Sequence, residues 1–275
     1  MIAQGVATSH AAEFTGISRR TLYTIPRTDP ICRPRPDEAE VRRAVRRVAL
    51  SHPTYGVRRV HALLRHEGLA INRKRVHRLL HAEGLTREPH FPRPRLPSTG
   101  ALTAPLPNLR WYTDITYVET TDRGPCALTS ILDACTREVL AHSFLPHCGA
   151  SEAFQVLEAA VRREFPRTMH ATDVIVRADG GAQFTSQLYR ERARLLGITV
   201  EAIRKKRPED NGMVESYHGK LKMDYLWVRE PTTYLETRGV VDDAIRHWNV
   251  ERPHSSLGYL TPSAYAKKLE QENTT

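Results

Sequence analysis

Apolar positions recur every three to four residues over the first third of the chain and every second residue after about position 108. Val41, Ala44, Val45 and Val48 form a helical stripe ringed by Arg42, Arg43, Arg46 and Arg47. Asp37 and Glu40 stand where a cap and its capping-box partner belong. A second helix is predicted from Val57 to His66, with Val60, Leu63 and Leu64 inward, and Gly68 ends it. Asn72 then caps a third, which buries Val76, Leu79 and Leu80 and ends at Gly84. Two short helices joined by five residues fit a helix-turn-helix.

Prolines interrupt this pattern at 89, 92, 94, 97, 105 and 107, a density that forbids helix and favours an extended path. Strand periodicity follows. Leu109 to Glu119 alternates, placing Trp111, Thr113, Ile115 and Tyr117 on one face. Two more strands are predicted at residues 127–132 and 138–145, then a helix at 151–165 with Phe154, Leu157, Ala160 and Val161 inward. A short strand at 173–178, a helix capped by Ser186, a strand at 198–203 and helices at 213–225 and 231–249 complete the order. Trp227, Trp248, Tyr225 and Tyr234 are expected in the core. The sequence predicts an α/β sheet led by an antiparallel meander, behind an all-α unit. The expected organisation is an arm at 1–36, a helix-turn-helix domain at 37–88, a linker at 89–107, a core at 108–265 and a tail at 266–275.

Composition narrows the class. With 275 residues, 40% hydrophobic and 26% charged, the chain is globular rather than disordered. No apolar run reaches the ~18–20 residues that cross a bilayer, and the N-terminus lacks the apolar core of a secretory signal. A cytosolic protein with no membrane partner is expected. Cys32, Cys126, Cys135 and Cys148 include no Cys-x-x-Cys pair and are expected to be reduced. His61, His66, His77 and His81 likewise lack cysteine partners for a zinc module and read as helix-surface residues.

The net charge of +10 is unevenly placed. Residues 1–105 carry a surplus of +11, and residues 106–275 a net of −1. A basic helical module beside a nearly neutral one points to nucleic acid. The candidate contacts are Arg58, Arg59, Arg73, Lys74, Arg75 and Arg78 on the helices and Arg93 and Arg95 in the linker. Lys205, Lys206 and Lys222 are candidates near the second half's acidic residues.

Three carboxylates carry the candidate chemistry. Asp114 lies inside the first strand, where a charge needs a positive partner or a metal. Asp179 follows a short apolar strand at its carboxyl end, where open α/β sheets place ligands. Glu215 lies near a helix start. Alone, each is more often an ion-pair partner. Together, two strand aspartates and one helix glutamate can converge on a pair of Mg²⁺ ions, for which Mn²⁺ can substitute, and so drive an in-line phosphoryl displacement.

The residues around them resemble those of the DDE transposases and retroviral integrases, above all the second-reading-frame proteins of bacterial insertion sequences of the IS-three group. Four blocks carry the likeness. They are Trp111-Tyr112-Thr113-Asp114-Ile115-Thr116-Tyr117, Arg177-Ala178-Asp179-Gly180-Gly181-Ala182-Gln183-Phe184-Thr185-Ser186, Asp210-Asn211-Gly212-Met213-Val214-Glu215-Ser216-Tyr217-His218-Gly219-Lys220-Leu221-Lys222, and the stretch from Trp248-Asn249 through Arg252-Pro253-His254 to Pro262. Arg177-Ala178 departs from the His-Ser common at that place, a change expected to touch DNA contacts rather than ligation. The resemblance implies a ribonuclease-H-like integrase core with an N-terminal all-α helix-turn-helix domain. It also implies that Asp114, Asp179 and Glu215 form a metal-binding catalytic triad, with Gln183 and Asn211 in support. It implies cleavage of element ends in double-stranded DNA and strand transfer by a 3′-hydroxyl. The implied partners are further copies of the chain on DNA and the element's first-reading-frame protein, and the implied location is the bacterial nucleoid. Two readings compete: a ribonuclease-H-like nuclease that cuts without joining, and a catalytically silent DNA-binding regulator.

Overall fold

The strands of the second half build one five-stranded sheet in the order β3-β2-β1-β4-β5. Strands β1 (Arg110–Thr120), β2 (Gly124–Asp133) and β3 (Val139–Leu145) form the antiparallel meander, and β4 (Ile175–Ala178) and β5 (Thr199–Ala202) add in parallel beyond β1. The computed structural model describes residues 12–14, 38–86, 104–203 and 212–274. The expected Asp37 cap, Arg93, Arg95, Lys205, Lys206, Asn211, Cys32 and most of the arm and linker lie outside the described residues.

The chain divides into two compact units, Met1–Ala44 and Val45–Thr275. In the first, residues 12–14 are helical, as is the chain from Glu38 onward. Helix α1 spans Glu38–Ser51, with Val45 and Val48 buried. In the second unit, α2 (Val57–His66) and α3 (Arg73–Ala82) form the expected pair. Gly68 turns between them with φ +85°, a conformation open to a residue without a Cβ. The Asn72 side chain accepts the Lys74 N–H at 2.8 Å. Val60, Leu64, Val76, Leu79 and Leu80 are buried, whereas Leu63 is only half-buried. The helix pair lies in the same compact unit as the sheet. Arg59 and Tyr55 contact residues beyond 220.

Helices cover both faces of the sheet. On one, Trp111, Ile131 and Val176 pack with α4 (Ala150–Glu164) and with Tyr189 and Ala193 of α6 (Gln187–Leu195), which follows the short α5 (Ala182–Thr185). On the other, Tyr112, Leu128 and Leu132 pack with α7 (Gly212–Leu221) and α9 (Tyr234–Val250). Between α7 and α9 lie a π-helical turn, Lys222–Leu226, and the short α8, Trp227–Arg229.

Three expectations are corrected. Strand β1 buries both faces near its start, because a helix layer lies on each side, while Tyr117 near its end is exposed. Trp227, expected in the core, is exposed because the π turn and α8 carry it outward. The presumed tail is helix α10, Pro262–Thr274. Among the described residues, no helix is long and apolar enough to cross a membrane. Cys126, Cys135 and Cys148 are free thiols.

Candidate active site

Asp114 projects from the middle of β1 on the face that Tyr112 shares with α7. The parallel ladder between β1 and β4 pairs Tyr112 with Arg177 and stops there. Continued by two residues, the same register sets Asp114 opposite Asp179, on strands spaced about 4.8 Å apart. Asp179 is the first residue beyond β4, at the sheet's carboxyl edge. Its Oδ1 accepts the Gly181 N–H at 2.9 Å. A Cβ on Gly181 would meet that oxygen at 2.9 Å and Gln183 Oε1 at 2.8 Å, so only glycine lets both side chains close over the turn. Gln183 thus stands beside Asp179.

Glu215 lies on the first turn of α7. Burial pushes its carboxyl pKa up, and the nearby charge of Asp114 adds to the rise. Two acids that repel one another form an arrangement that a divalent cation relieves, and their hard oxygens suit Mg²⁺ chemistry. Among the described residues, no three His, Cys, Asp or Glu side chains converge closely enough to hold an ion.

A histidine and a lysine stand close to Asp114. His218 is buried, and its Nδ1 lies 3.4 Å from Asp114 Oδ2. Lys222 donates to the Tyr117 carbonyl at 2.8 Å. Burial pulls its pKa down, and Asp114 opposes that shift. Sequence reasoning passed over His218 in this role, yet Glu215, His218 and Lys222 stand three and seven positions apart, one face of a helix.

The expected DNA contacts separate into two groups. Arg58, Arg73, Lys74 and Arg78 are exposed on α2 and α3, and Arg75 is half-buried. Arg59 instead turns inward, 3.8 Å from Asp224 and over the Tyr55 ring. Arg177, expected to alter DNA contacts, is buried and pairs with Glu201, its register partner on β5. His77 and His81 are exposed, as expected.

The C-terminal block is structural in its first half. Trp248 Nε1 donates to the Arg137 carbonyl at 3.0 Å. The Asn249 side chain accepts from Val139 N and donates to Val139 O, both at 2.9 Å, fastening α9 to the start of β3. Arg252, almost wholly buried, pairs with Asp224 and lies over the Trp248 ring.

The chain matches the models of two integrase core domains, over residues 104–208 and 196–262, and of an HTH-like domain over residues 36–90. It is 32% identical over 282 aligned positions to the transposase InsD for insertion element IS2A/D/F/H/I/K of Escherichia coli, covering 98% of this chain and 93% of the relative. InsD for insertion element IS2-9 of E. coli strain K12 is similar at the same identity, with 92% of its length covered. In fold, the chain is similar to a chain of the simian T-cell lymphotropic virus intasome, with a TM-score of 0.52 at 17% identity over 81% of this chain and 74% of that one. The mixed sheet is thus a ribonuclease-H-like integrase core, preceded by a helix-turn-helix-like domain. By its identity to InsD along nearly its whole length, the chain belongs to the family of insertion-element transposases with an integrase core domain.

Proposed function

We propose that the protein cuts the ends of an insertion element in double-stranded DNA and joins them to a target by 3′-hydroxyl attack. Asp114, Asp179 and Glu215 are the catalytic set. The observation that carries the reading is the β1–β4 register together with the electrostatic coupling of Glu215 to Asp114. The three carboxylates would hold two Mg²⁺ ions, or Mn²⁺ in their place, which when bound supply charge neutralisation at the attacking and leaving oxygens. To join them, Asp179 exchanges its bond to the Gly181 N–H for a rotamer facing Asp114. His218 and Lys222 orient the Asp114 end of β1, His218 beside the carboxylate and Lys222 through the Tyr117 carbonyl. Gln183 and Asn211 support the strand that is cut.

The exposed Arg58, Arg73, Lys74 and Arg78, with Arg75, bring DNA to the helix pair, and Arg93, Arg95, Lys205 and Lys206 add further phosphate contacts. Two copies of the chain acting on paired ends, with the first-reading-frame protein, complete the assembly on the bacterial nucleoid.

The test is an assay with Mg²⁺ on labelled duplexes bearing the element's ends. Wild-type protein is expected to cut and join. Asp114→Asn should lose both by about 10³-fold or more, because metal ligation contributes several kcal/mol to transition-state stabilisation. Binding of the ends should stay nearly intact. Full activity in Asp114→Asn overturns the assignment. Cutting without joining by the wild type identifies a nuclease, and binding with neither identifies a regulator.

A further inference from the structure

Away from the three carboxylates, a second cluster of cations surrounds a pocket where α2 meets the C-terminal block. Helix α2 starts behind Gly56, which brings no side chain to cap it. The first N–H groups of a helix lack acceptors within it and carry the positive end of its dipole. Arg58, Arg59, Lys220, Arg252 and His254 line the same pocket. The acid beside them, Asp224, is already shared between Arg252 and Arg59.

Arg252 is 1% exposed, and its Nε–H has no hydrogen-bond partner among the described residues. His254, 8% exposed, adds no charge, since burial, then Arg252, Lys220 and Arg59, brings its pKa down to about 3, and its Nε2 is equally unpartnered. Buried polar groups are seldom left so, because each carries its full desolvation penalty. The cations also oppose one another. Burial, then Arg252, lowers the pKa of Arg59. Lys220 is an exposed residue by surface area, yet the atoms crowding its ammonium, then Arg252 and Arg59, bring its pKa down to about 8. An anion relieves the costs at Arg252, Arg59 and Lys220 together.

The pocket does not stand alone. Arg58 and Tyr259 line both it and an adjoining groove, which runs past Arg65, Arg73 and Lys74 to the start of α3. In the other direction, Lys220 lies on α7, five positions after Glu215. A basic path therefore links the helix pair to the helix that bears the glutamate.

We propose that this pocket holds one phosphate group of the DNA backbone, anchoring the duplex between α3 and α7. The proposal rests on the transposase reading above and adds a specific site to it. The same chemistry would take a free phosphate, and the experiment separates the two sources.

Lys220→Gln removes one exposed cation. Ser256→Glu sets a carboxylate on the exposed rim of the same pocket. Lys268→Gln, on α10, is the control. First, inorganic phosphate at constant ionic strength should raise the Tm of the wild type and the control, and not that of the two pocket variants. Second, affinity for end DNA is measured against salt. The slope of log K on log salt should shrink by about 0.9 in Lys220→Gln, the loss of one phosphate contact, and remain at the wild-type value in Lys268→Gln. Ser256→Glu should weaken end binding several-fold at every salt concentration. Wild-type slopes and affinities in both pocket variants, while the wild type still cuts and joins, overturn the pocket and leave the transposase reading standing. Phosphate-dependent Tm shifts with unchanged DNA slopes assign the pocket to free phosphate and overturn the backbone assignment. A wild type that neither binds nor cuts the ends brings down both.

Discussion

Glu215 stands at a helix start, where the dipole favours an anion, yet burial and the charge of Asp114 raise its pKa. The folded state therefore holds this proton more tightly than the unfolded chain does. The resulting stabilisation is present below the ordinary value of 4.5 and is lost as pH rises through the folded value. At pH 7 the ionised pair is a burden. Glu215→Gln should thus raise stability at pH 7 by less than about 1 kcal/mol, since solvent screens this exposed residue. The gain should shrink towards pH 4, and urea denaturation at the two pH values reads it. A variant less stable than wild type at pH 7 would remove Glu215 from the neighbourhood of Asp114. Such a trade of stability against chemistry is usual for clustered catalytic acids. What sequence conveyed at this scale was residue type and motif spacing. It did not convey partners: Arg59 reads as a cation for DNA and Arg177 as a change at DNA contacts, but Asp224 and Glu201 claim them. Those acids come from distant segments, and no local pattern announces the pairing.

Elements were legible where local chemistry sets them. Asn72 and Ser186 cap the helices they were expected to cap, because a side-chain oxygen that accepts a helical N–H is a local feature. The first strand of the meander was placed by its alternation, whereas β2 is buried along most of its length. The π turn at Lys222–Leu226 left no periodic trace, since one extra residue in a helix shifts the faces without changing composition. That turn places Asp224 inside, against Arg252. Removing one partner of a buried pair strands the other charge, so Asp224→Ala should cost about 3–5 kcal/mol in urea denaturation. Replacing both, as in Asp224→Leu with Arg252→Met, should recover most of that loss. A double variant as unstable as the single one would show that the pair is not the source of the effect.

At the scale of the second unit, the helix pair meets the core around His247 of α9. Its Nδ1 lies 2.6 Å from the Tyr225 hydroxyl, and its Nε2 lies 3.3 Å from the Tyr55 hydroxyl and 3.4 Å from His52 Nδ1. With Tyr225 donating to Nδ1, the ring is held neutral. Burial brings its pKa down to about 4; Glu251 opposes the shift, while His52, Arg252 and Arg229 add to it. His52 is also lowered, by burial against the pull of Glu251. Both histidines hold protons less tightly folded than unfolded. Their contribution is therefore full above the ordinary value of 6.5 and is lost as pH falls towards about 4. Protonating His247 puts a proton on the nitrogen that now accepts from Tyr225 and sets a positive charge beside Arg252. Acidification from pH 6.5 to 4.5 should accordingly loosen α2 and α3 from the core before the sheet unfolds. Hydrogen exchange would report it, with the amides of Val60 and Leu64 losing protection while those of β1 and β2 keep theirs. His247→Gln, neutral at every pH and able to accept from Tyr225, should flatten that dependence. Equal protection of α2 at both pH values in the wild type would mean that the junction does not depend on a neutral His247.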